Sequence, residues 1–213
     1  MFSLGEVALA QDHLAQSIAL HDPQKDNPSV SGHTGDSKVI SLCFAASAQW
    51  LLGYPDQALQ RNREALILAR ELSQPYNLAL ALNWAAGFHC LRREGQAAQE
   101  RAEATITLAT EQGFPLWLGL GTAFRGWALA EQGQEEEGIA QMRQSLAGFG
   151  AIEAELAPTW FLALLAEACG KVGQIEEGLT LLAEALDLVD KTGGRWCEAE
   201  LYWLKGELCY SGL

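Results

Sequence analysis

The segment GQIEEGLTLLAEA, residues 173–185, decides the fold, because the same pattern occurs four times in the chain at intervals of 40 residues. The glycine that opens it, Gly173, has counterparts at Gly133, Arg93 and Gly53. Three further positions carry a small side chain in every copy. They are Gly178, Gly138, Ala98 and Ala58; Ala185, Ser145, Thr105 and Ala65; and Ala166, Gly126, Ala86 and Ala46. Repetition with a fixed period of about 20–50 residues is typical of stacked supersecondary units.

Each copy of the pattern predicts a helix, a tight turn and a second, antiparallel helix. Apolar side chains recur three or four residues apart, as one buried face of a helix requires. Pro55 and Pro75 stand at expected helix starts, and Gly113 stands at an expected helix end. The small side chains let two helix axes approach to about 8 Å. The sequence therefore predicts an all-α fold, a right-handed superhelical solenoid of antiparallel helix pairs.

We expect one array over residues 1–213, with boundaries set by these turns and helix starts. Its predicted parts are a helix from a preceding unit at 1–20, a loop at 21–36, repeats at 37–73, 74–113, 114–150 and 154–193, and the lone first helix of a fifth unit at 195–211. The helix at 1–20 has the pattern of a second helix, with Val7, Ala10, Leu14 and Ile18 on one face. The loop after it is about eight residues longer than the fixed period requires.

Composition and charge exclude several classes of function. The net charge is −13, with 27 acidic against 14 basic residues, and this charge disfavours binding to nucleic acid or to anionic membranes. There is no apolar run long enough to span a membrane and no secretory signal pattern at the N-terminus. The five cysteines form no CxxC pair, which is typical of free thiols in a reducing cytoplasm. We therefore expect a cytoplasmic protein.

A search for catalytic and cofactor motifs finds none. The sequence contains no GxxxxGK[ST], GxSxG, HExxH or CxxC pattern, and Gly119-Leu-Gly121 lies within a predicted helix and lacks the third glycine of a dinucleotide-binding loop. The four histidines are scattered through the chain. We therefore predict no catalytic residue, no cofactor and no metal site, and we expect that the segment is not an enzyme.

The positions of the small residues resemble those of the tetratricopeptide repeat, at the eighth, twentieth and twenty-seventh places of a helix-turn-helix unit. The period is 40 rather than 34 residues. The aromatic residue usual at the fourth place is replaced by Leu42, Leu82, Thr122 or Leu162. Longer helices of this kind resemble the tetratricopeptide-like arrays of large bacterial signalling proteins.

Several phrases are similar to the C-terminal repeats of bacterial adenylate/guanylate cyclases that also carry a central AAA-type ATPase module. They are LLGYPDQAL (51–59), LRREGQAAQERAEA (91–104), ATEQGFPLWLGLGTAFRGWALAEQGQ (109–134) and LALLAEA (162–168). The resemblance covers the chain from about residue 5, and the cyclase and nucleotide-binding modules of that family have no counterpart here. It implies a regulatory or partner-binding arm without catalytic residues.

The tetratricopeptide resemblance places the second, fifth, ninth and twelfth positions of each first helix on a concave wall. The candidate binding residues at or near these positions are Trp50, Asn83, Trp127, Glu131, Trp160, Glu167, Trp203, Glu207 and Tyr210. Aromatic side chains flanked by carboxylates suit a peptide with basic and apolar side chains. The alternative is that the long helices leave a narrow groove, which these side chains fill.

Two functions of different class follow from these observations. The first is a non-catalytic interaction or regulatory scaffold of a bacterial signalling protein, which binds a peptide or a sister domain on its concave face. The alternative, motivated by the tryptophan-lined groove, is a small-molecule sensor domain of a bacterial transcriptional regulator. Leu201, Leu204 and Leu208 of the last helix cannot all be covered within the chain unless they face the fourth helix pair. Uncovered apolar surface at this helix would favour self-association through it.

Overall fold

The computed structural model describes residues 1–21, 35–148 and 158–211. Within these ranges the chain forms ten helices and no strand. The helices are α1 (Val7–Leu20), α2 (Ser37–Leu51), α3 (Pro55–Glu71), α4 (Pro75–Leu91), α5 (Gly95–Gln112), α6 (Pro115–Glu131), α7 (Glu135–Gly148), α8 (Pro158–Lys171), α9 (Ile175–Thr192) and α10 (Glu198–Ser211). The predicted all-α helical repeat is confirmed. Most of the predicted loop at 21–36, and the residues where the third and fourth repeats meet, lie outside the described residues.

Local chemistry explains where the helices begin and end. The Asp36 carboxylate caps α2 by accepting the backbone N–H groups of Lys38 at 2.9 Å and Val39 at 3.1 Å. Gly113 ends α5 in the left-handed region with φ of 69°. The turn position that opens each copy of the pattern is also left-handed, with φ of 84° at Gly53 and 59° at Arg93. Glycine is therefore the favoured residue at this turn, and Arg93 adopts a less favourable backbone conformation.

The first compact unit contains Met1–Phe2 and the described residues of Glu6–Leu118. Within it α1 packs on α2, and the pairs α2–α3 and α4–α5 lie side by side, with α2 also in contact with α4. Ala46, Ala58 and Phe88 form one of its buried clusters, against which Trp50 packs. A first helix of this unit is thus covered by its own second helix and by the next first helix.

The second compact unit contains Ser3–Gly5 and the described residues of Gly119–Leu213. In this unit α7 packs on α8, α8 pairs with α9, and α10 contacts both α8 and α9. The backbone N–H of Trp196 donates to the Ser3 carbonyl at 3.3 Å. The single array expected over 1–213 stays a prediction.

The small residues of the repeat lie where paired helices come closest. In the α6–α7 pair, a Cβ built on Gly126 would lie 2.6 Å from the Gly138 carbonyl oxygen and 2.9 Å from Met142 Cγ. A Cβ on Gly178 would lie 3.1 Å from the Ala166 carbonyl oxygen, and 2.7 Å from Leu208 Cδ1. These contacts leave no room for a larger side chain, so the repeated small residues set the spacing of the helices.

The three leucines of α10 are covered by the fourth helix pair. Leu201, Leu204 and Leu208 are buried in a cluster with residues of α8 and α9, including Leu182 and Ala185. Of the two arrangements left open by the sequence, the structure has the one in which these leucines face the fourth helix pair, so they provide no uncovered apolar surface for self-association. The exposed apolar surface of α10 lies on its other side, where Tyr202, Trp203 and Tyr210 are located.

Gly126→Ala should lower the free energy of unfolding by about 1–3 kcal/mol, because the added Cβ would overpack against backbone atoms. The matched control is Gly206→Ala in α10, where a Cβ meets nothing within 4 Å in the described structure. This control should raise the free energy of unfolding by about 0.5–1 kcal/mol through helix propensity. Urea unfolding of dilute protein, monitored by circular dichroism, measures both changes in the free energy of unfolding. Effects of the same sign and size at the two glycines would contradict this account of the packing.

Candidate functional site

The nine predicted binding residues fall into three groups by exposure. Asn83 and Trp127 are buried, at 5% and 1% exposed. Trp50, Glu131, Trp160 and Glu167 are half-buried. Trp203, Glu207 and Tyr210 are exposed, Trp203 to 53% and Tyr210 to 80%. The structure therefore does not present the nine residues on one open wall.

Asn83 and Trp127 belong to the interior, so their placement on an accessible wall is corrected. The residues 40 positions before and after Asn83 are Cys43 and Ala123, and both are buried as well. The physical reason is that first helices touch each other as well as their own second helices, as α2 touches α4 and α8 touches α10. For these two residues the packing interpretation holds.

Trp50 lies in a cluster with Phe88, Arg92, Glu94 and His89 in the first unit. The Arg92 guanidinium lies 5.1 Å from the Trp50 ring centroid and 5.6 Å from that of Phe88, within the range of cation–π attraction. Arg92 Nη2 donates to a Glu94 carboxylate oxygen at 2.6 Å, and the other oxygen lies 2.7 Å from His89 Nδ1. The face of the indole is thus occupied by a side chain of the same chain.

The hydrogen bond from Arg92 is the largest cause that lowers the pKa of Glu94, to about 2 from an ordinary 4.5. Desolvation of the carboxylate opposes this shift, and the hydrogen bond with His89 adds to it. Glu94 therefore stays ionised throughout the physiological range and holds Arg92 over Trp50. These interactions stabilise the first unit. Because Arg92 covers the face of the Trp50 ring, little of this ring is left to contact a ligand.

Glu131 and Glu167, which the sequence predicts to attract a basic peptide, both lie close to Lys171 of the second unit. Lys171 Nζ forms an ion pair with Glu131, and it lies 3.7 Å from a Glu167 carboxylate oxygen. Trp160 packs in an aromatic row, with ring centroids 5.4 Å from Phe124 and 5.5 Å from Trp196. These predicted groups are largely engaged within the unit.

Helix α10 brings three of the predicted residues together on one accessible face. Trp203, Glu207 and Tyr210 are spaced by four and three residues, and this spacing places them on the same side of a helix. Tyr202, 58% exposed, lies beside them, and Gly206 stands in their midst. We call these five residues, Tyr202, Trp203, Gly206, Glu207 and Tyr210, the α10 outer face. The leucines on the opposite side anchor the helix and so hold this face in place.

Tyr202 was not predicted as a site residue. It stands 40 residues after Leu162, which is buried at 4% exposed, so the repeat pattern assigned its position to the core. In the described structure Tyr202 is 58% exposed, so the repeat pattern alone does not identify it as a surface residue.

The described residues contain no candidate metal site, and Cys43 and Cys197 are buried thiols. Across residues 1–21, 35–148 and 158–211, no group of three or more His, Cys, Asp or Glu residues is placed to hold a metal ion. Burial raises the pKa of the Cys43 thiol, and burial is also the main cause that raises the pKa of Cys197, to about 12. Both thiols therefore stay protonated and unreactive at neutral pH. None of the described helices is both long enough and apolar enough to cross a lipid bilayer.

Comparison with solved structures supports the fold. BtubC (BKLC) from P. vanneervenii superposes with a TM-score of 0.60 and 15% identity, over 99% of this chain and 83% of that one. A Podosopora anserina chain described as a kinesin light chain with nearly identical TPR-like repeats gives a TM-score of 0.52 and 19% identity, over 88% and 89% of the two chains. These likenesses show a tetratricopeptide-like helical repeat, and the identities are too low to show more.

Among curated proteins, an uncharacterized protein of Rhizobium meliloti (strain 1021) is 25% identical over 205 residues. The match covers 94% of this chain and 20% of the relative, so the chain spans about a fifth of that relative's length. No protein-family model matches the chain.

Glu94→Gln should destabilise the first unit near neutral pH, and the difference from wild type should disappear in acid. The folded pKa of about 2 lies below the ordinary 4.5, so the contribution of the carboxylate is present above about pH 4.5 and is lost as the pH falls toward 2. Because the Glu94 side chain is 38% exposed, we expect at most about 1 kcal/mol at pH 7. Urea unfolding over this pH range measures the difference. Glu111→Gln, at an exposed position of α5, is the control and should change little at any pH.

Proposed function

We propose that this chain is a non-catalytic protein-interaction and regulatory scaffold, which binds a peptide or a sister domain through the α10 outer face. One observation carries the proposal: Trp203, Glu207 and Tyr210 lie on one side of a well-anchored helix and are all exposed. Large aromatic side chains dominate many protein interfaces, because they bury much apolar area at a small entropic cost. An anchored helix presents them without a further ordering cost.

The net charge of the chain indicates that its ligand is cationic. A net charge of −13 attracts cationic partners and repels anionic ones. On the α10 outer face itself, Glu207 stands between Trp203 and Tyr210 in the helix register. We therefore propose that the ligand is a segment with Lys or Arg side chains between apolar ones. The half-buried Trp50, Glu131, Trp160 and Glu167 contribute less, because neighbouring side chains of the same unit occupy them.

The wider setting that we propose is a cytoplasmic bacterial signalling protein. The phrases similar to cyclase–ATPase repeat regions support this setting. The Rhizobium meliloti relative, of which the chain spans 20%, is a longer bacterial protein. In such a protein the array would act as a regulatory arm, and a sister domain of the same polypeptide would be its partner. Deleting the array from a full-length protein of this type should then alter the activity of the other modules.

A second candidate function is that of a small-molecule sensor. Asn83 Oδ1 in α4 and Gln49 Oε1 in α2 are buried and have no hydrogen-bond partner within the described protein. Buried polar atoms of this kind are costly unless a partner is supplied, so a small ligand with hydrogen-bond donors would stabilise the first unit. Tryptophan fluorescence across a metabolite panel tests this function. A saturable response that Asn83→Ala removes would favour the sensor over the scaffold.

The scaffold proposal predicts that Trp203→Ala and Tyr210→Ala each weaken peptide binding by about tenfold or more. Isothermal titration against short peptides that alternate Lys or Arg with Leu or Phe measures this change. Peptides in which Glu replaces the basic residues should not bind, and binding should weaken at high ionic strength. Tyr54→Ala is the matched control, because Tyr54 and Trp203 are both 53% exposed and Tyr54 lies in the first unit. Equal loss in the control, or no binding by any basic peptide, would count against the proposal.

A further inference from the structure

One side of α3 carries two arginines and an isoleucine that are all accessible. Arg63 and Arg70 are exposed, and Ile67 is 53% exposed. The three residues are spaced by four and three positions, so they lie on the same side of the helix. The two arginines stand about 10 Å apart along the helix axis. We call Arg63, Ile67 and Arg70 the α3 outer face.

Neither arginine of the α3 outer face has an acidic neighbour on its own helix. Side chains three or four positions apart are neighbours on a helix surface. The residues at these distances from the two arginines are all uncharged: Leu59, Gln60, Leu66, Ile67, Ser73 and Gln74. Arg61, by contrast, forms an ion pair with Glu64 at 2.7 Å. Within the part of the chain that the structure describes, the side chains of Arg63 and Arg70 form no ion pair.

Helix α7 shows how an arginine at this position of the repeat is used when a partner is present. Arg143 stands 80 residues after Arg63, and its Nη2 donates to a Glu177 carboxylate oxygen at 2.7 Å. The residue 80 positions before Glu177 is Ala97, whose side chain has no acceptor. The internal carboxylate that would bind Arg63 by the same contact is therefore replaced by a methyl group.

The second acceptor of Arg143 does not restore this contact. Arg143 Nη2 also donates to the side chain of Gln174 at 3.1 Å, and the residue 80 positions before Gln174 is Glu94. Both carboxylate oxygens of Glu94 are engaged, one by Arg92 at 2.6 Å and the other by His89 at 2.7 Å. Arg63 thus has the position of Arg143 in the repeat without its internal partners.

Ile67 places an apolar side chain between the two arginines. The residues at the same position of the repeat in α5, α7 and α9 are Thr107, Ala147 and Asp187, and none of them is a large apolar residue. An isoleucine with half of its surface in water gains free energy when a partner covers it. The α3 outer face therefore combines an apolar centre with a positive charge on each side.

The α3 outer face carries positive charge in a chain whose net charge is −13. Helix α3 contains three acidic and three basic residues, whereas α9 contains five acidic residues and one basic. A positive face attracts carboxylates, but the net charge of the chain repels an extended polyanion such as a nucleic acid. A short segment with a few acidic side chains fits both conditions.

We propose that the α3 outer face binds a helical protein segment in which two carboxylates flank an aliphatic side chain. Two acidic residues seven positions apart on a helix have the same spacing as Arg63 and Arg70, and a leucine one turn from each would lie on Ile67. A guanidinium binds a carboxylate through two parallel hydrogen bonds, which adds specificity to the attraction. This ligand is opposite in charge to the one proposed for the α10 outer face, so the inference goes beyond the proposed function.

Fluorescence anisotropy of a labelled helical peptide, titrated with the full chain, tests the proposal. The peptide carries two Glu residues seven positions apart and a Leu one turn from each. We expect Arg63→Ala and Arg70→Ala each to weaken binding by about fivefold. The double variant should weaken it by about the product of the two losses. Arg143→Ala is the matched control and should bind like wild type, because Arg143 is an exposed arginine with an internal partner.

A change of charge on both sides tests the pairing directly. Arg63→Glu should bind the acidic peptide more weakly than Arg63→Ala does, because the new carboxylate repels the ligand. Replacing one of the two Glu residues of the peptide by Lys should restore its binding to Arg63→Glu. Circular dichroism should show every variant as helical as wild type. Failure of both Lys-containing peptides to bind Arg63→Glu better than the original peptide does would contradict the pairing.

Further outcomes separate this inference from the alternatives. No binding of the acidic peptide to wild type would overturn it, and so would equal losses in Arg63→Ala and Arg143→Ala. Unchanged affinity when Gln replaces the peptide's Leu would assign the face to anions in general and overturn the proposed ligand. A wild-type dimer in sedimentation velocity that Arg63→Glu dissociates would assign the face to a second copy instead. Trp203→Ala should leave acidic-peptide binding unchanged, so the inference and the proposed function can fail separately.

Discussion

The close approach of two helices at a pair of small residues is the constraint on which this structure depends. In the α6–α7 pair, Gly126 and Gly138 face each other so closely that a Cβ on Gly126 would meet the carbonyl oxygen of its partner at 2.6 Å. Such contacts fix the spacing and the register of each helix pair, and the large apolar side chains then interlock around them. In the four copies of the pattern the same positions carry small side chains, so each helix pair is expected to form the same kind of close contact.

This constraint also decides where a partner can bind. Close packing surrounds the first helices with neighbours, and it turns Trp127 into a core residue. It brings Lys171 beside Glu131 and Glu167, so that two acidic side chains pair with a base of the same unit. Helix α10 has the same kind of sequence, but one side of it has no second helix in the described structure. The accessible aromatic surface lies on that side of α10.

The sequence was sufficient to locate the helices, but it was not sufficient to predict which of their side chains are exposed. The spacing of small residues and the prolines that open helices located elements such as α3 and α4 to within a residue or two. Periodicity shows which side of a helix faces the other helix of its pair, but it does not show which further helices pack on the remaining sides. For this reason periodicity alone places Asn83 on an open wall and leaves the cover of Leu201 undecided. The ion pair of Lys171 with Glu131 joins residues 40 positions apart, and only the stacking of the units brings them together.

Gly206 links the packing constraint to function. Glycine in the middle of a helix costs about 0.5–1 kcal/mol relative to alanine, because the unfolded chain loses more conformational freedom on folding. At Gly126 this cost is offset by a contact that no other residue permits. At Gly206 nothing within 4 Å offsets it, although the position holds the same place in the repeat. The open space at Gly206 lies among Trp203, Glu207 and Tyr210, so a peptide bound on the α10 outer face would approach the helix backbone closely at this glycine.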